Sequence, residues 1–359
     1  MKRMIVLVVL LFALSVRADE GDLQVITAEN ANLVEQLHIV FDSDKWINDV
    51  EFSPDGDVLA FIETGNPYEG FQDVQGQAYI WAMNSSDEIT RLNSGLSALS
   101  LAFDQSGNSL AVGTTSGEIQ LWDWRDEQIS RTLTGHDTWV NSLGFTSGGG
   151  LLLSGSGAIY NTDTGGDSTA RLWLVSSTET VDSTFLIPEN ANLGAVWGVS
   201  ISPNGAIIAT GLTNGTTHLW GGETSRELAI LDGYAWSHNI LFSPDSEKVI
   251  YASHDGVRIW NINSAIETLG NIPEYLLIAP LVDNEFIFSL AINPEGTLLA
   301  VGYADGSIRL WDIETGAQLN RLQTDSEDIS DLAFSPDGTL LASGGADGTV
   351  RLWGVPAGE

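Results

Sequence analysis

Near the C-terminus the chain reads Phe334-Ser-Pro-Asp-Gly338, then Leu341-Ala-Ser-Gly344, then Asp347-Gly-Thr-Val-Arg-Leu-Trp353. Weaker copies of this block fill the sequence back to Trp46. The turn recurs as Ser53-Pro-Asp-Gly56, Ser202-Pro-Asn-Gly205, Ser243-Pro-Asp-Ser246 and Asn293-Pro-Glu-Gly296. Degenerate copies stand at Asp104-Gln-Ser-Gly107 and Thr146-Ser-Gly-Gly149. The closing tryptophans are Trp81, Trp122, Trp173, Trp220, Trp260, Trp311 and Trp353, spaced by 41, 51, 47, 40, 51 and 42 residues. A period near 40, widened by insertions, marks an array of units that bury their apolar faces only against neighbours.

The last unit predicts its own strands. Ile329 to Phe334 is one, and Ser335-Pro-Asp-Gly338 is a tight turn in which Pro presets φ and Gly accepts a positive φ. Leu340 to Ser343 is a second strand, and Asp347-Gly348 is a hairpin signal. Val350 to Trp353, rich in β-formers, is a third. Complete units add a fourth, such as Gln318 to Leu322. Four short antiparallel strands repeated seven times predict an all-β chain, a seven-bladed β-propeller.

Only six residues follow Trp353, too few for a fourth strand. Leu33 to Val40 precedes the first unit and is expected to complete the last blade, removing the exposed edges of an open array. The expected division is a leader over 1–18, an acidic linker over 19–30, the propeller over 31–355 and a tail over 356–359.

The Phe-Ser-Pro-Asp-Gly turns, the Arg-Leu-Trp strand ends, Gly135-His136 and the pairs Trp122-Asp123 and Trp311-Asp312 resemble the WD-repeat family. The resemblance covers about nine-tenths of the chain. It implies that Asp, His, Ser/Thr and Trp form a buried hydrogen-bond chain within a blade. Only the third unit matches in full, with Asp167, His136, Ser154 and Trp173, which makes His136 structural. The resemblance also implies that the loops entering each first strand share one face with the second-to-third connections.

Lys2, Arg3, the apolar run Met4 to Val16 and Val16-Arg17-Ala18 read as a secretory leader cleaved before Asp19. An uncleaved anchor is the rival reading, although thirteen residues fall short of the ~20 that span a bilayer. The expectation is an exported protein of bacterial type, secreted or periplasmic, with no membrane insertion after cleavage. There is no cysteine, which excludes disulfides and cysteine-ligated zinc. The formal charge is −34, and loss of Lys2, Arg3 and Arg17 leaves 11 basic against 48 acidic residues. Such a field repels nucleic acid and anionic membranes. It serves solubility, or attraction of cationic partners.

Six residues before the Phe or Ile that precedes each turn stand Trp46, Ser97, Trp139, Ala195, Trp236, Phe286 and Asp328. Four residues before it stand Asn48, Leu99, Asn141, Trp197, His238, Phe288 and Ser330. The two positions share strand parity, so both are expected to point the same way. Their aromatic richness suits a protein-binding rim, since large rings anchor interfaces. Packing between blades is the alternative. The candidate contact residues are therefore Trp46, Asn48, Trp139, Asn141, Trp197, Trp236, His238, Phe286 and Phe288. Insertions at 64–75, 157–166 and 273–285 enlarge the same face. Within the last, Tyr275 to Ile278 either forms the fourth strand of blade five or caps the face.

No serine elbow, zinc helix signature or phosphate loop is present. The five histidines are scattered, and Asn161 to Asp167, though oxygen-rich, lacks the bidentate Glu of a twelve-residue calcium loop. No cofactor and no metal are expected. The reading is a monomeric, non-enzymatic, exported scaffold that binds a protein or peptide on its aromatic face. The alternative is an exported propeller hydrolase or lactonase with a metal in the central channel.

Overall fold

The computed structural model describes residues 23–65, 75–83, 89–157, 167–175, 183–185, 194–232, 239–253, 255–267, 275–278 and 286–356. Seven antiparallel sheets of four strands form blades, and the last is extended by a fifth, two-residue strand. The first strands are Trp46–Phe52, Ala98–Phe103, Val140–Phe145, Val196–Ile201, Ile240–Phe242, Ile287–Ile292 and Ile329–Phe334. Each packs against the first strand of the next blade, and the seventh against the first, so the ring is closed around a central channel. A short helix, Ile262–Glu267, lies between the third and fourth strands of blade five. Tyr275–Ile278 pairs with Gly256–Asn261, which makes it that fourth strand and not a cap on the face.

The repeated motif now has a physical account. In the turn, Gly338 at φ +72 donates its N–H to the carbonyl of Ser335 at 2.9 Å, and Ser335 Oγ donates to Asp337 Oδ1 at 2.6 Å. In the second strand, Ser343 Oγ accepts the indole N–H of Trp353 at 2.9 Å. Its neighbour Gly344 faces Ile47 of blade one, where an added Cβ would lie 2.6 Å from the Ile47 methyl. That glycine lets adjacent blades close. The seven closing tryptophans are all buried, at 1–7% exposure. At ~150–250 Å² and about 25 cal/mol per Å², each ring contributes up to roughly 4–6 kcal/mol of burial.

Ring closure uses Glu35–Asp42, antiparallel to Thr349–Pro356 with Gln36 opposite Trp353. One expectation is corrected. The stretch 19–30, expected to be an acidic linker, is built into the fold over its described part. Leu23–Gln24 pairs with Val355 and Pro356. Ile26 is fully buried, donates its N–H to Gly338 O at 2.8 Å and accepts Asn293 Nδ2 at 3.2 Å. The acidic residues of this stretch do not decide its place; the burial of one apolar side chain, Ile26, does. The expected leader, most of the insertions expected at 64–75, 157–166 and 273–285, and Trp236 and His238 lie outside the described residues.

Candidate functional site

Six of the seven first strands carry one residue more than their partner strand near the start. Ile47 faces Glu63 and Asp49 faces Ile62, leaving Asn48 as an unmatched residue in the ladder. The same β-bulge leaves Leu99, Asn141, Trp197, Phe288 and Ser330 unmatched in five other blades. A bulge bends a strand and re-aims its side chains. The alternation is broken past that point, since Ile47 and Val50, three apart, are both buried. Trp46 and Asn48, and Trp139 and Asn141, nevertheless share the cavity as expected, whereas Phe288 lines it and Phe286 does not. In these six blades the residue at the bulge lines the channel: Asn48, Leu99, Asn141, Trp197, Phe288 and Ser330.

A cavity of about 290 Å³ occupies that end of the channel. Trp46, Asn48, Trp139, Asn141, Trp197 and Phe288 all line it, as do Leu99 and Ser330. Four aromatic rings from blades one, three, four and six thus meet at one opening, each half-buried. Phe286 is not in the lining and is 64% exposed, so it stands outside the cluster it was grouped with. Ser97, at the same position in blade two, has its Oγ accepting the Gly76 N–H at 2.7 Å.

Sequence reasoning missed the floor. Asp49, Glu51 and Asp331 line the cavity deeper along the strands, with Asn239, Ser100 and Ser142. Three and five residues beyond Trp46 correspond to roughly 10–17 Å along a strand. For all but Glu51 the signal was the position three before the Phe or Ile that precedes each turn, which reads Asp49, Ser100, Ser142, Gly198, Asn239, Ser289 and Asp331. These residues stitch neighbouring blades together. Asp331 Oδ2 accepts the Val50 N–H at 2.9 Å, and Asp49 Oδ2 accepts the Leu101 N–H at 2.8 Å. Glu51 Oε2 accepts the Phe103 N–H at 3.1 Å, and Ser142 Oγ accepts that of Val199 at 3.1 Å. Asn48, Asn141 and Asn239 donate to the carbonyls of Leu99, Val196 and Phe288.

The floor carboxyls touch channel space, yet protein surrounds them. Burial pushes Asp49 up to about 6, against the hydrogen bonds from Leu101, Asp331 and Val50 that favour its ionised form. Burial, with the charge of Asp49, pushes Glu51 up to about 8. Burial and Asp49 also hold Asp331 well above the usual carboxylate range.

The third blade holds a separate polar chain away from this cavity. Trp173 Nε1 donates to Ser154 Oγ at 2.7 Å, Ser154 Oγ lies 2.6 Å from His136 Nε2, and His136 Nδ1 contacts Asp167. All four residues are buried. Burial lowers the His136 pKa and outweighs the pull of Asp167. Burial raises Asp167, but the bonds and charges of His136 and Arg171 hold it below its ordinary value. A neutral imidazole protonated on Nδ1 satisfies the chain in one direction, Trp to Ser to His to Asp. The hydroxyl end persists elsewhere: Trp220 donates to Thr210, Trp260 to Tyr251 and Trp353 to Ser343. An arginine two before the tryptophan, paired with an upstream Asp, recurs as Arg171–Asp167, Arg258–Asp255, Arg309–Asp305 and Arg351–Asp347. Among the described residues no group of three His, Cys, Asp or Glu is placed to hold a metal ion.

Comparison with known proteins agrees with this architecture. The WD domain, G-beta repeat family matches residues 127–173, 187–221 and 316–354. The anaphase-promoting complex subunit 4 WD40 domain matches residues 240–331. Among similar proteins, the small ribosomal subunit protein RACK1y of rice is 29% identical over 181 residues, covering 50% of this chain and 49% of its own. The MST50-interacting protein 11 of Pyricularia oryzae is 25% identical over 194 residues, covering 54% of this chain and 57% of its own. The apoptotic protease-activating factor 1 of zebrafish is 24% identical over 283 residues, covering 68% of this chain and 21% of its own. The chain thus spans about half, or less, of the length of these curated relatives, and all three are eukaryotic. It carries WD40 repeats folded as a seven-bladed β-propeller.

Proposed function

From a seven-bladed propeller of WD40 repeats, we propose a non-enzymatic scaffold that binds a protein or peptide at the aromatic mouth of its channel. The observation that carries this reading is the convergence of Trp46, Trp139, Trp197 and Phe288 on one cavity. Large rings around a recess supply contact area with few rotatable bonds, the composition of interface anchors. Two of the similar proteins are named for association, a ribosomal subunit protein and an interacting protein, which supports the same class. The proposal includes export, resting on Lys2, Arg3 and the apolar run Met4 to Val16.

The test is affinity capture by the full-length chain, expressed in the producing cells, against its Trp139→Ala and Trp197→Ala variants. Each ring truncation is expected to weaken a captured partner by ~2 kcal/mol or more while the fold persists. Capture unchanged in both variants overturns the site. N-terminal sequencing of the recovered chain is expected to begin at Asp19.

A further inference from the structure

We propose that the partner segment inserts an arginine side chain through the aromatic mouth and sets its guanidinium against the carboxyl floor formed by Asp49, Glu51 and Asp331. This rests on the reading that a protein segment docks at the mouth, and it adds what the segment must carry.

The size of the recess favours a side chain over a folded element. The cavity holds about 290 Å³. A helix with its side chains is about 10–12 Å across. The chemistry is graded along the channel. Half-buried indoles stand at the opening, and carboxyls lie below them. A guanidinium stacks on aromatic faces and carries a planar fork that matches a carboxylate. One side chain therefore satisfies both levels, the rings along its path and the carboxyls at its tip.

Charge complementarity points the same way. Among the described residues lining the cavity, Asp49, Glu51 and Asp331 are the ionisable ones, and none is Lys, Arg or His. The chain as a whole carries −34, a field that concentrates cations. Each floor carboxyl already accepts a backbone N–H of a neighbouring blade. A carboxylate offers about four lone-pair sites, so that bond leaves acceptor capacity for a ligand. Asp49 and Glu51, pushed up to about 6 and about 8, are partly protonated near neutrality. An arriving cation favours their ionised forms. Binding is then coupled to proton release, and affinity rises with pH.

The probe is the peptide acetyl-Gly-Ala-Arg-Ala-Gly-amide, with its citrulline counterpart as the neutral isostere. Both are titrated into the full chain by tryptophan fluorescence and calorimetry. The arginine peptide is expected to bind at least ~10-fold more tightly than the citrulline peptide. Its affinity is expected to rise from about pH 5.5 to about pH 8.5, with protons released. Glu51→Gln is expected to shrink the preference and the proton release, and Asp49→Asn serves if that variant does not fold. Equal affinities, or no binding of the arginine peptide at millimolar concentration, overturn the inference. If Trp139→Ala abolishes partner capture while the two peptides bind alike, the mouth remains a docking site and the arginine inference alone fails. If capture is unchanged in both Trp139→Ala and Trp197→Ala, the docking reading itself fails.

Discussion

Asp331 of the last blade accepts the backbone N–H of Val50 in the first, 2.9 Å across the seam where the ring closes. Asp49 repeats that bond one blade on, to Leu101. Two carboxyls thus serve the closure of the ring and face the channel at the same time. Holding them there requires them to be protonated at a higher pH than exposed carboxyls.

Stability should therefore fall as pH rises from mildly acidic to mildly alkaline. A group whose folded pKa lies above its unfolded value adds stability below the unfolded value, and loses it as pH climbs through the folded one. For Asp49 and Glu51 that window runs from about 4 to about 8. Turn and hairpin carboxyls such as Asp347 and Asp245 are lowered and act oppositely, losing stability as pH falls through about 4 and below. Urea midpoints should peak near pH 5, and Glu51→Gln should flatten the alkaline limb. A midpoint still rising at pH 8 in the parent chain contradicts this.

His136→Ala should destabilise the chain by ~1–3 kcal/mol, since it strands Ser154 and Asp167 in a buried site. His218 is held in a buried site of its own. It is buried, contacts Glu227 and Thr216, and stacks on Trp220 with ring centroids 5.8 Å apart. His218→Ala should cost about 1–2 kcal/mol as well. Denaturant midpoints of the two variants check both values, and a silent His218→Ala refutes the second.

The indole N–H of Trp311 is buried without a hydrogen-bond partner. The residue two beyond its cross-strand neighbour Leu299 is Val301, where blades three, four, five and seven carry a hydroxyl. Val301→Thr should therefore cost less than Val112→Thr, the equivalent change in blade two, where Trp122 already donates to Gln120 at 3.3 Å. A difference of about 1 kcal/mol is expected. Equal losses in urea count against the account.

Deleting residues 23–42 should turn a soluble ring into an aggregating one. Thr349–Pro356 would lose its outer partner strand, and Ile26 would leave the core of the last two blades. An open, apolar edge strand templates association. Light scattering after refolding measures this, and a monomer with an unchanged melting temperature rules it out.

Trp139→Ala should leave the melting temperature nearly in place, because that ring is half-buried at the cavity. Trp173→Ala should cost ~3–5 kcal/mol, as for a fully buried aromatic. Thermal melts of the two proteins separate a rim residue from a core one.

The repeat, the strand order within each blade and the closure by the N-terminal strand are all written in the order of residues along the chain. Period, turn chemistry and a missing fourth strand are local facts, and local facts survive translation into structure. Counting back from each turn also places Trp46, Trp139, Trp197 and Phe288. That these rings share one cavity while Phe286 stands apart follows from the folded ring alone. The cavity is lined at the β-bulge, where Asn48 and its equivalents have no cross-strand match, a feature of strand pairing that counting along the sequence does not show. The floor was hidden for a related reason. Asp49, Glu51 and Asp331 look like ordinary surface carboxylates in a chain of −34, and their meeting in one channel comes from closing blade seven onto blade one.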